Sequence, residues 1–167
     1  DKSEISSVVK TLKKSTQMGK AVRDFENKIS KYFGKKYGLM VNSGSSALML
    51  ATNVLNFKKD DEIITPCLNF GTAVSSIILS GAKPILVDVD IDTLQIKTSE
   101  IQNKITKKTK AIMIPNLIGN IPNWKEIKRI ANKNNLKIIE DSADTLGATI
   151  NSKPTGSYSD ISITSFY

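Results

Sequence analysis

Three acidic side chains lie close together in EDSADTLG, residues 140–147, directly after the apolar residues Ile138 and Ile139. Carboxylates at the end of a strand could ligate a metal ion, form an acid/base pair, or hold one charged atom of a cofactor. Asp141 would be partly buried there, and a buried carboxylate needs a cationic partner or several hydrogen-bond donors. A protonated ring nitrogen is such a partner, although a magnesium site or a capped strand end fits these residues equally well.

A turn rich in serine and glycine, in VNSGSSALML at residues 41–50, separates a predicted strand from a predicted helix. Free backbone N–H groups and serine hydroxyls at a helix N-terminus can bind a phosphate, and Gly44 would let the backbone approach it. Neither a Walker A sequence nor a G-x-G-x-x-G dinucleotide fingerprint is present. The pattern therefore predicts either a phosphate site or a serine-capped helix without a ligand.

Phe70 and Ser165 are expected at the same edge of the sheet as this turn. Phe70 follows a predicted strand in TPCLNFGTAVSS, residues 65–76, where an aromatic ring can stack on a flat ligand. Without other context, a place in the hydrophobic core is the favoured interpretation of Phe70. Ser165 ends the last predicted strand, so its hydroxyl could reach the edge that carries the phosphate turn.

The alternating aspartates of VDVDIDTL, residues 87–94, resemble the first half of a calcium-binding loop. Thr93 stands where such a loop needs glycine, and Ser99 stands where it needs a bidentate glutamate. The aspartate pattern of haloacid-dehalogenase phosphatases is likewise out of register at Asp92. We expect these aspartates to end a strand and enter a turn, and we expect no metal site.

The composition narrows the function classes further. The formal net charge is +8, from 24 Lys+Arg against 16 Asp+Glu, but the lysines are scattered and lack interleaved aromatic residues, which disfavours nucleic-acid binding. The absence of histidine excludes Ser-His-Asp and Cys-His machinery from these 167 residues. Cys67 is the single cysteine, so no disulfide framework or CxxC site is present, and a reducing, cytoplasmic setting is expected. No apolar run reaches the roughly 18 residues of a membrane span.

Short apolar segments recur along the chain and predict strands that are buried on both faces of a sheet. The predicted strands cover residues 37–42, 62–66, 83–89, 110–115, 136–141 and 160–167. Helical spacing of apolar residues predicts helices over residues 21–34, 46–57 and 123–135. Gly34 is expected to end the first helix and Asn123 to cap the last. This alternation predicts one three-layer α/β domain with a mostly parallel sheet, which binds ligands at the carboxyl ends of its strands.

Taken together and in this order, these stretches resemble the DegT/StrS family of pyridoxal-phosphate (PLP) enzymes, which includes sugar-nucleotide aminotransferases and related 3-dehydrases. The similarity runs from about Met18 to Tyr167 and rests on VNSGSSAL, DVDIDT, KAIMIPNLIGNIP and EDSADTLG, which are specific jointly although each is weak alone. It implies the large domain of a fold-type I PLP-dependent transferase. It also implies a nucleotide-sugar substrate, an amino-acid donor and, at full length, a homodimer.

The resemblance implies roles for individual residues. Gly44 and Ser45 match the turn that binds the cofactor phosphate, and Ser165 matches a second phosphate contact. Phe70 matches the residue that stacks on the pyridine ring. Asp141 matches the carboxylate that pairs with the pyridine nitrogen and keeps it protonated, which makes the ring an electron sink.

Three further positions bear on the reaction. Asn116 lies on a loop that faces the substrate in the family. Asp144 occupies a position where the aminotransferases usually have glutamine or histidine in contact with the ring hydroxyl. The aspartate at this position resembles the 3-dehydrases more than the aminotransferases, and the 3-dehydrases use the cofactor as pyridoxamine phosphate. The Schiff-base lysine of the aminotransferases, replaced by histidine in the 3-dehydrases, would lie five residues after Ser165 and therefore beyond Tyr167.

We therefore expect residues 1–167 to comprise an N-terminal helix and most of the PLP-binding large domain, to lack the C-terminal small domain, and to be inactive alone. The predicted function of the full-length protein is PLP-dependent amino transfer to a keto sugar, in the synthesis of surface polysaccharide or antibiotic sugars. The alternatives are a 3-dehydrase acting on a nucleotide-linked 4-keto-6-deoxyhexose, an inactive truncated copy, and a polyanion-binding module.

Overall fold

The computed structural model describes residues 1–166. Two compact units make up this chain, residues 1–40 and residues 41–166. None of the helices in the described range is long and apolar enough to cross a bilayer.

The first unit contains two helices, α1 (Lys2–Lys14) and α2 (Lys20–Tyr32). Asp1 caps α1, because its side chain accepts hydrogen bonds from backbone N–H groups in the first turn. The second helix confirms the one predicted over residues 21–34, and Gly34 follows its end with a φ of 64°. Glycine adopts this left-handed conformation without a Cβ clash. None of the helices predicted from apolar spacing covers α1, which has no buried residue.

The second unit consists of a sheet between two helix layers. Its helices are α3 (Gly44–Val54), α4 (Gly71–Leu79), α5 (Thr98–Lys104) and α6 (Trp124–Lys133). The sheet contains β1 (Glu62–Pro66), β2 (Lys83–Val87), β3 (Thr109–Pro115), β4 (Lys137–Asp141) and β7 (Ile161–Ile163). A separate hairpin pairs β5 (Thr149–Ile150) with β6 (Lys153–Pro154). Short 3₁₀ helices cover Leu117–Gly119 and Thr155–Tyr158.

The five strands of the sheet are parallel and lie in the order β2-β1-β3-β4-β7. Their carboxyl ends therefore all lie at one edge. Asp141, the last residue of β4, lies opposite Pro115 of β3 and Ile163 of β7. This arrangement confirms the predicted α/β fold with a parallel sheet.

Alternate residues of each strand pack against different helix layers, because successive side chains in a strand point to opposite faces. The core between the sheet and α5 and α6 contains Ile64, Ile101, Ile112, Ile114, Trp124, Ile127, Ile130 and Ile138. The core between the sheet and α3 and α4 contains Leu48, Ala51, Ile63, Ala73, Ile77, Ala111, Met113, Ile139 and Ile163. We refer to these sides of the sheet as the α5/α6 face and the α3/α4 face.

The strand predicted over residues 37–42 is wrong. Residues 37–41 have no regular secondary structure, and the sheet formed by the described residues includes no strand from this stretch. An apolar run forms a strand only where a neighbouring strand satisfies its backbone hydrogen bonds. Two other strands end earlier than predicted, β2 at Val87 and β7 at Ile163. Tyr167, in the last predicted strand, lies outside the described residues.

Truncating Ile127 tests the core on the α5/α6 face. Ile127 is fully buried, so we expect Ile127→Ala to lower the free energy of unfolding by about 3 kcal/mol through lost burial and the remaining cavity. Ile91 is 83% exposed, and the matched substitution Ile91→Ala should change it by less than about 0.5 kcal/mol. Urea denaturation of the purified proteins measures both, and equal midpoints for the two variants would contradict this core.

Candidate active site

The carboxyl edge of the sheet brings together the segments that follow β3, β4 and β7. Backbone hydrogen bonds continue there past the ends of the strands. The N–H of Asn116 donates to the carbonyl of Asp141 over 2.8 Å, and the N–H of Ser142 donates to the carbonyl of Ile163 over 2.7 Å. The backbone around Asp141 is therefore held from both sides.

Asp141 is a buried carboxylate without a cationic partner among residues 1–166. It is 6% exposed, and the backbone N–H of Ala143 donates to its Oδ1 over 3.1 Å. None of the ion pairs in the described chain includes it. Burial raises the pKa of Asp141, the Ala143 hydrogen bond partly opposes this, and the charges of Asp144 and Glu140 raise it further. A cationic group against this carboxylate would offset the cost of burial, so Asp141 fits a protonated ring nitrogen.

The side chain of Asp141 belongs to the α3/α4 face. It is two residues after Ile139, which packs on that face, and strand residues alternate between faces. The helix α4 follows β1, so it begins at the carboxyl edge of the sheet. The N-terminus of α3 lies beside Ser165, in the segment that follows β7.

Gly44 and Ser165, both predicted phosphate contacts, lie against each other. A Cβ atom on Gly44 would be 3.2 Å from the Cβ and 3.3 Å from the Oγ of Ser165. Gly44 and Ser45 are the first two residues of α3, where backbone N–H groups have no acceptor within the helix. Ser43 caps the helix by accepting a hydrogen bond from the N–H of Ser46 over 3.1 Å, and the first turn has no acidic residue. This geometry suits an anion.

Phe70 is 61% exposed, so the interpretation that places it in the core is wrong. It directly precedes α4, and its N–H donates to Oδ1 of Asn69 over 2.8 Å. The Nδ2 of Asn69 in turn donates to Oγ1 of Thr65 over 2.9 Å, which fixes the turn between β1 and α4. Smaller residues of α4 fill the core on this face. The aromatic ring is therefore accessible, and its stacking on a cofactor stays a prediction.

Asp144 is exposed and contacts the turn that follows β3. Its Oδ2 accepts a hydrogen bond from the N–H of Ile118 over 3.3 Å. Ile118 has a φ of 56°, which is a costly conformation for a β-branched residue. Nε2 of Gln95 also supports this turn, because it donates to the carbonyl of Leu117 over 3.3 Å. Asp144 therefore helps to hold a strained turn, and its predicted contact with a cofactor ring stays a prediction.

Asn116 lies at the predicted edge, but its side chain is buried on the α5/α6 face. Its Nδ2 donates to Oε1 of Glu140 over 3.0 Å and to Oγ of Ser142 over 2.7 Å. Its Oδ1 accepts a hydrogen bond from Nε1 of Trp124 over 2.8 Å. Every polar group of the amide is used inside the protein, so this geometry does not support the predicted contact of Asn116 with substrate.

Glu140 is a residue that the sequence analysis left out of the site. It is fully buried and accepts hydrogen bonds from Asn116 and from three serines. The sequence does indicate that Glu140 needs partners of its own, because two adjacent acids at the end of a buried strand must point to opposite faces. Each of them then needs its own set of partners.

The aspartates of residues 88–92 form a turn, as predicted. The Oδ1 of Asp90 accepts hydrogen bonds from the backbone N–H groups of Asp92 over 3.0 Å and of Thr93 over 3.1 Å. Asp88, directly after β2, pairs with Lys97 over 3.5 Å. These contacts are those of an aspartate-capped turn at a strand end.

The sequence pattern of the DegT/DnrJ/EryC1/StrS aminotransferase family matches residues 1–167. The chain belongs to this family. Its relatives include the lipopolysaccharide biosynthesis protein RfbH of Salmonella typhimurium, which is 42% identical over 86% of this chain and 35% of that protein. The GDP-perosamine synthase of Escherichia coli O157:H7 is 39% identical over 89% of this chain and 41% of that protein. The GDP-4-keto-6-deoxy-D-mannose 3-dehydratase of Escherichia coli O55:H7 is 37% identical over 84% and 38% respectively.

Solved structures of the family share this fold. A protein described as a sugar aminotransferase, Spr1654 of Streptococcus pneumoniae in its PLP form, superposes with a TM-score of 0.92 at 29% identity. That match covers 100% of this chain and 47% of the other. The E. coli GDP-4-keto-6-deoxy-D-mannose-3-dehydratase with bound hydrated PLP gives a TM-score of 0.86 at 35% identity, over 92% and 41% of the two chains. The chain thus spans less than half the length of these family members.

We expect Asp141→Asn to stabilise the cofactor-free protein at neutral pH. The raised pKa means that the folded state binds the Asp141 proton more tightly than the unfolded state does. The contribution of Asp141 to stability is therefore greatest below its unfolded pKa of about 3.9 and is lost as the pH rises through the folded pKa. Asparagine removes this loss, so the Tm of the variant should exceed that of the wild type at neutral pH and converge with it in acid.

Thermal melting of cofactor-free protein across this pH range measures the effect. Asp92→Asn, which changes an exposed turn aspartate, is the matched control and should follow the wild type at every pH. A constant difference in Tm between Asp141→Asn and the wild type would rule out a titrating Asp141 as its cause.

Gly44→Ala and Gly71→Ala form a matched pair, because each glycine is the first residue of a helix. No atom lies within 4 Å of a Cβ on Gly71, so alanine there should raise stability by about 0.5–1 kcal/mol by restricting the unfolded chain. Gly44→Ala should give no gain or a loss, because Ser165 must move to admit the methyl group. Thermal melting decides between them, and an equal gain in both variants would contradict the close contact at Gly44.

Proposed function

We propose that this chain forms the cofactor-binding part of an enzyme that uses PLP to transfer an amino group from an amino acid to a keto sugar of a nucleotide sugar. One observation carries the proposal. Asp141 is a buried carboxylate without a cationic partner in the described chain, on the same face and edge of the sheet as the N-termini of α3 and α4. The GDP-perosamine synthase and sugar aminotransferase relatives support the substrate class, which serves surface polysaccharide or antibiotic sugar synthesis.

The residues at this edge divide the work of holding the cofactor. Asp141 would keep a proton on the ring nitrogen, and its burial would strengthen that interaction because the local dielectric constant is lower than that of water. The first N–H groups of α3, at Gly44 and Ser45, bind the phosphate together with Ser165. Phe70 covers one side of the ring. PLP bound by these residues would supply an electron sink for the reaction.

The activity belongs to the full-length protein, because the chain spans 41% of the GDP-perosamine synthase and 38% of the 3-dehydratase. In this proposal residues 1–167 supply the N-terminal helix and most of the large domain of a homodimer. The lysine that attaches the cofactor would then lie five residues after Ser165, beyond Tyr167.

Asp144 favours a second reaction, the removal of the 3-hydroxyl group from a nucleotide-linked 4-keto-6-deoxyhexose by the pyridoxamine form of the cofactor. It occupies the position at which the aminotransferases usually carry glutamine or histidine. The 37% identity to a GDP-4-keto-6-deoxy-D-mannose 3-dehydratase supports the same alternative. In that case a histidine would stand at the position of the lysine.

The full-length protein should show a protein-bound absorbance band with PLP and convert GDP-4-keto-6-deoxy-D-mannose in the presence of glutamate. Mass spectrometry separates the two reactions, because amino transfer replaces the carbonyl oxygen with nitrogen, whereas the dehydrase removes a hydroxyl oxygen. Asp141→Asn should lower kcat about 100-fold or more, since a neutral amide no longer stabilises the charge on the ring.

Asp92→Asn is the isosteric control at an exposed turn and should keep the kcat of the wild type. A full-length protein without a PLP absorbance band would overturn both reactions. An unchanged kcat in Asp141→Asn would remove Asp141 from the catalytic role while leaving the cofactor assignment to be judged by the absorbance band.

A further inference from the structure

Glu140 buries a carboxylate on the side of the sheet opposite the candidate active site. Its side chain is 0% exposed, and none of the ion pairs among residues 1–166 includes it. Because it precedes Asp141 on β4, strand alternation directs it to the α5/α6 face, where Ile138 also packs. A buried carboxylate without a cation must be satisfied by hydrogen-bond donors.

Four polar side chains supply these donors. The Oε1 of Glu140 accepts hydrogen bonds from Nδ2 of Asn116 over 3.0 Å and from Oγ of Ser142 over 2.9 Å. Its Oε2 accepts from Oγ of Ser159 over 3.0 Å and from Oγ of Ser162 over 2.7 Å. We call these five residues the Glu140 cluster. Hydrogen bonds to a charged acceptor are about twice as strong as those between neutral groups.

The Glu140 cluster joins the ends of three neighbouring strands. Asn116 directly follows β3, Ser142 directly follows β4, and Ser162 lies within β7. These strands carry Asp141 and lead to Ser165, and the backbone bonds of Asn116 and Ser142 hold Asp141 from both sides. A shift of one strand end would therefore move the carboxylate on the opposite face.

We propose that Glu140 is a positioning residue for the cofactor site: its carboxylate ties the ends of β3, β4 and β7 and thereby sets the distance between Asp141 and Ser165. Stability alone does not account for such a residue, because well-packed apolar side chains often replace buried charged clusters at no cost. The identity of the ligand as PLP rests on the proposed function. The role of Glu140 in holding the ends of β3, β4 and β7 together does not depend on it.

The test compares Glu140→Gln with Ile138→Val in the full-length protein. Glutamine keeps the size of the side chain but loses the charge and one acceptor oxygen, whereas Ile138→Val trims the same strand on the same face without touching the cluster. Glu140→Gln should raise the Kd for PLP about tenfold, as small displacements of binding groups do. Ile138→Val should leave the Kd within about twofold of the wild type at a comparable loss of Tm.

Hydrogen exchange of the cofactor-free proteins gives a second readout that does not depend on PLP. The amides of Asn116 and Ser142 should exchange faster in Glu140→Gln but not in Ile138→Val, since only the first loosens the strand ends. Ser162→Ala removes one donor and keeps the charge of Glu140, so it should speed exchange at the same amides with a smaller effect. This variant provides the test if Glu140→Gln does not fold.

Unchanged exchange at these two amides in the Glu140 and Ser162 variants overturns the proposal. An equal loss of PLP affinity in Ile138→Val also overturns it, because a general loss of stability would then explain the effect. If the wild type fails to bind PLP while exchange rises only in the cluster variants, the proposed function fails and the tie between the strand ends stands.

Discussion

Two adjacent carboxylates end β4, and the sheet can bury both because neighbouring side chains in a strand point to opposite faces. Glu140 is satisfied by four side-chain donors on the α5/α6 face, while Asp141 has one backbone donor on the α3/α4 face. The same strand end thus carries one carboxylate that four side chains satisfy and one that has no cationic partner among residues 1–166. The charge of Glu140 also contributes to the raised pKa of Asp141, after burial and alongside Asp144. The negative charge of Glu140 therefore also favours a cation beside Asp141.

Much of the fold is predictable because strands buried on both faces leave short, continuous apolar runs between turn residues. The bounds of β1 agree with the prediction. The N-terminal bounds of β3 and β4 each differ from the prediction by one residue. Parallel strands share one carboxyl edge, so Ser165 is expected at the edge that carries the phosphate turn. The contact between Gly44 and Ser165 fits that expectation.

What the sequence does not reveal depends on contacts between residues that are distant along the chain. Residues 37–42 have the composition of a strand, but a strand also needs a hydrogen-bonded neighbour, which composition does not reveal. Phe70 has the hydrophobicity of a core residue, yet Ala73 and Ile77 fill the core on that face. The direction of the Asn116 side chain is set by Trp124 and Glu140, and neither contact follows from the identity of Asn116 itself.

Asp144 acts on the candidate site in two ways that do not require contact with substrate. Its carboxylate accepts the N–H of Ile118 and so helps to hold a turn in a strained conformation beside the end of β3. Its charge, with burial as the larger cause, raises the pKa of Asp141. A neutral glutamine or histidine, the usual residue in the aminotransferases that this chain resembles, would leave Asp141 with one fewer negative neighbour. An aspartate at this position therefore adds to the negative charge that favours a proton or a cation beside Asp141, which under the proposed function is the protonated ring nitrogen.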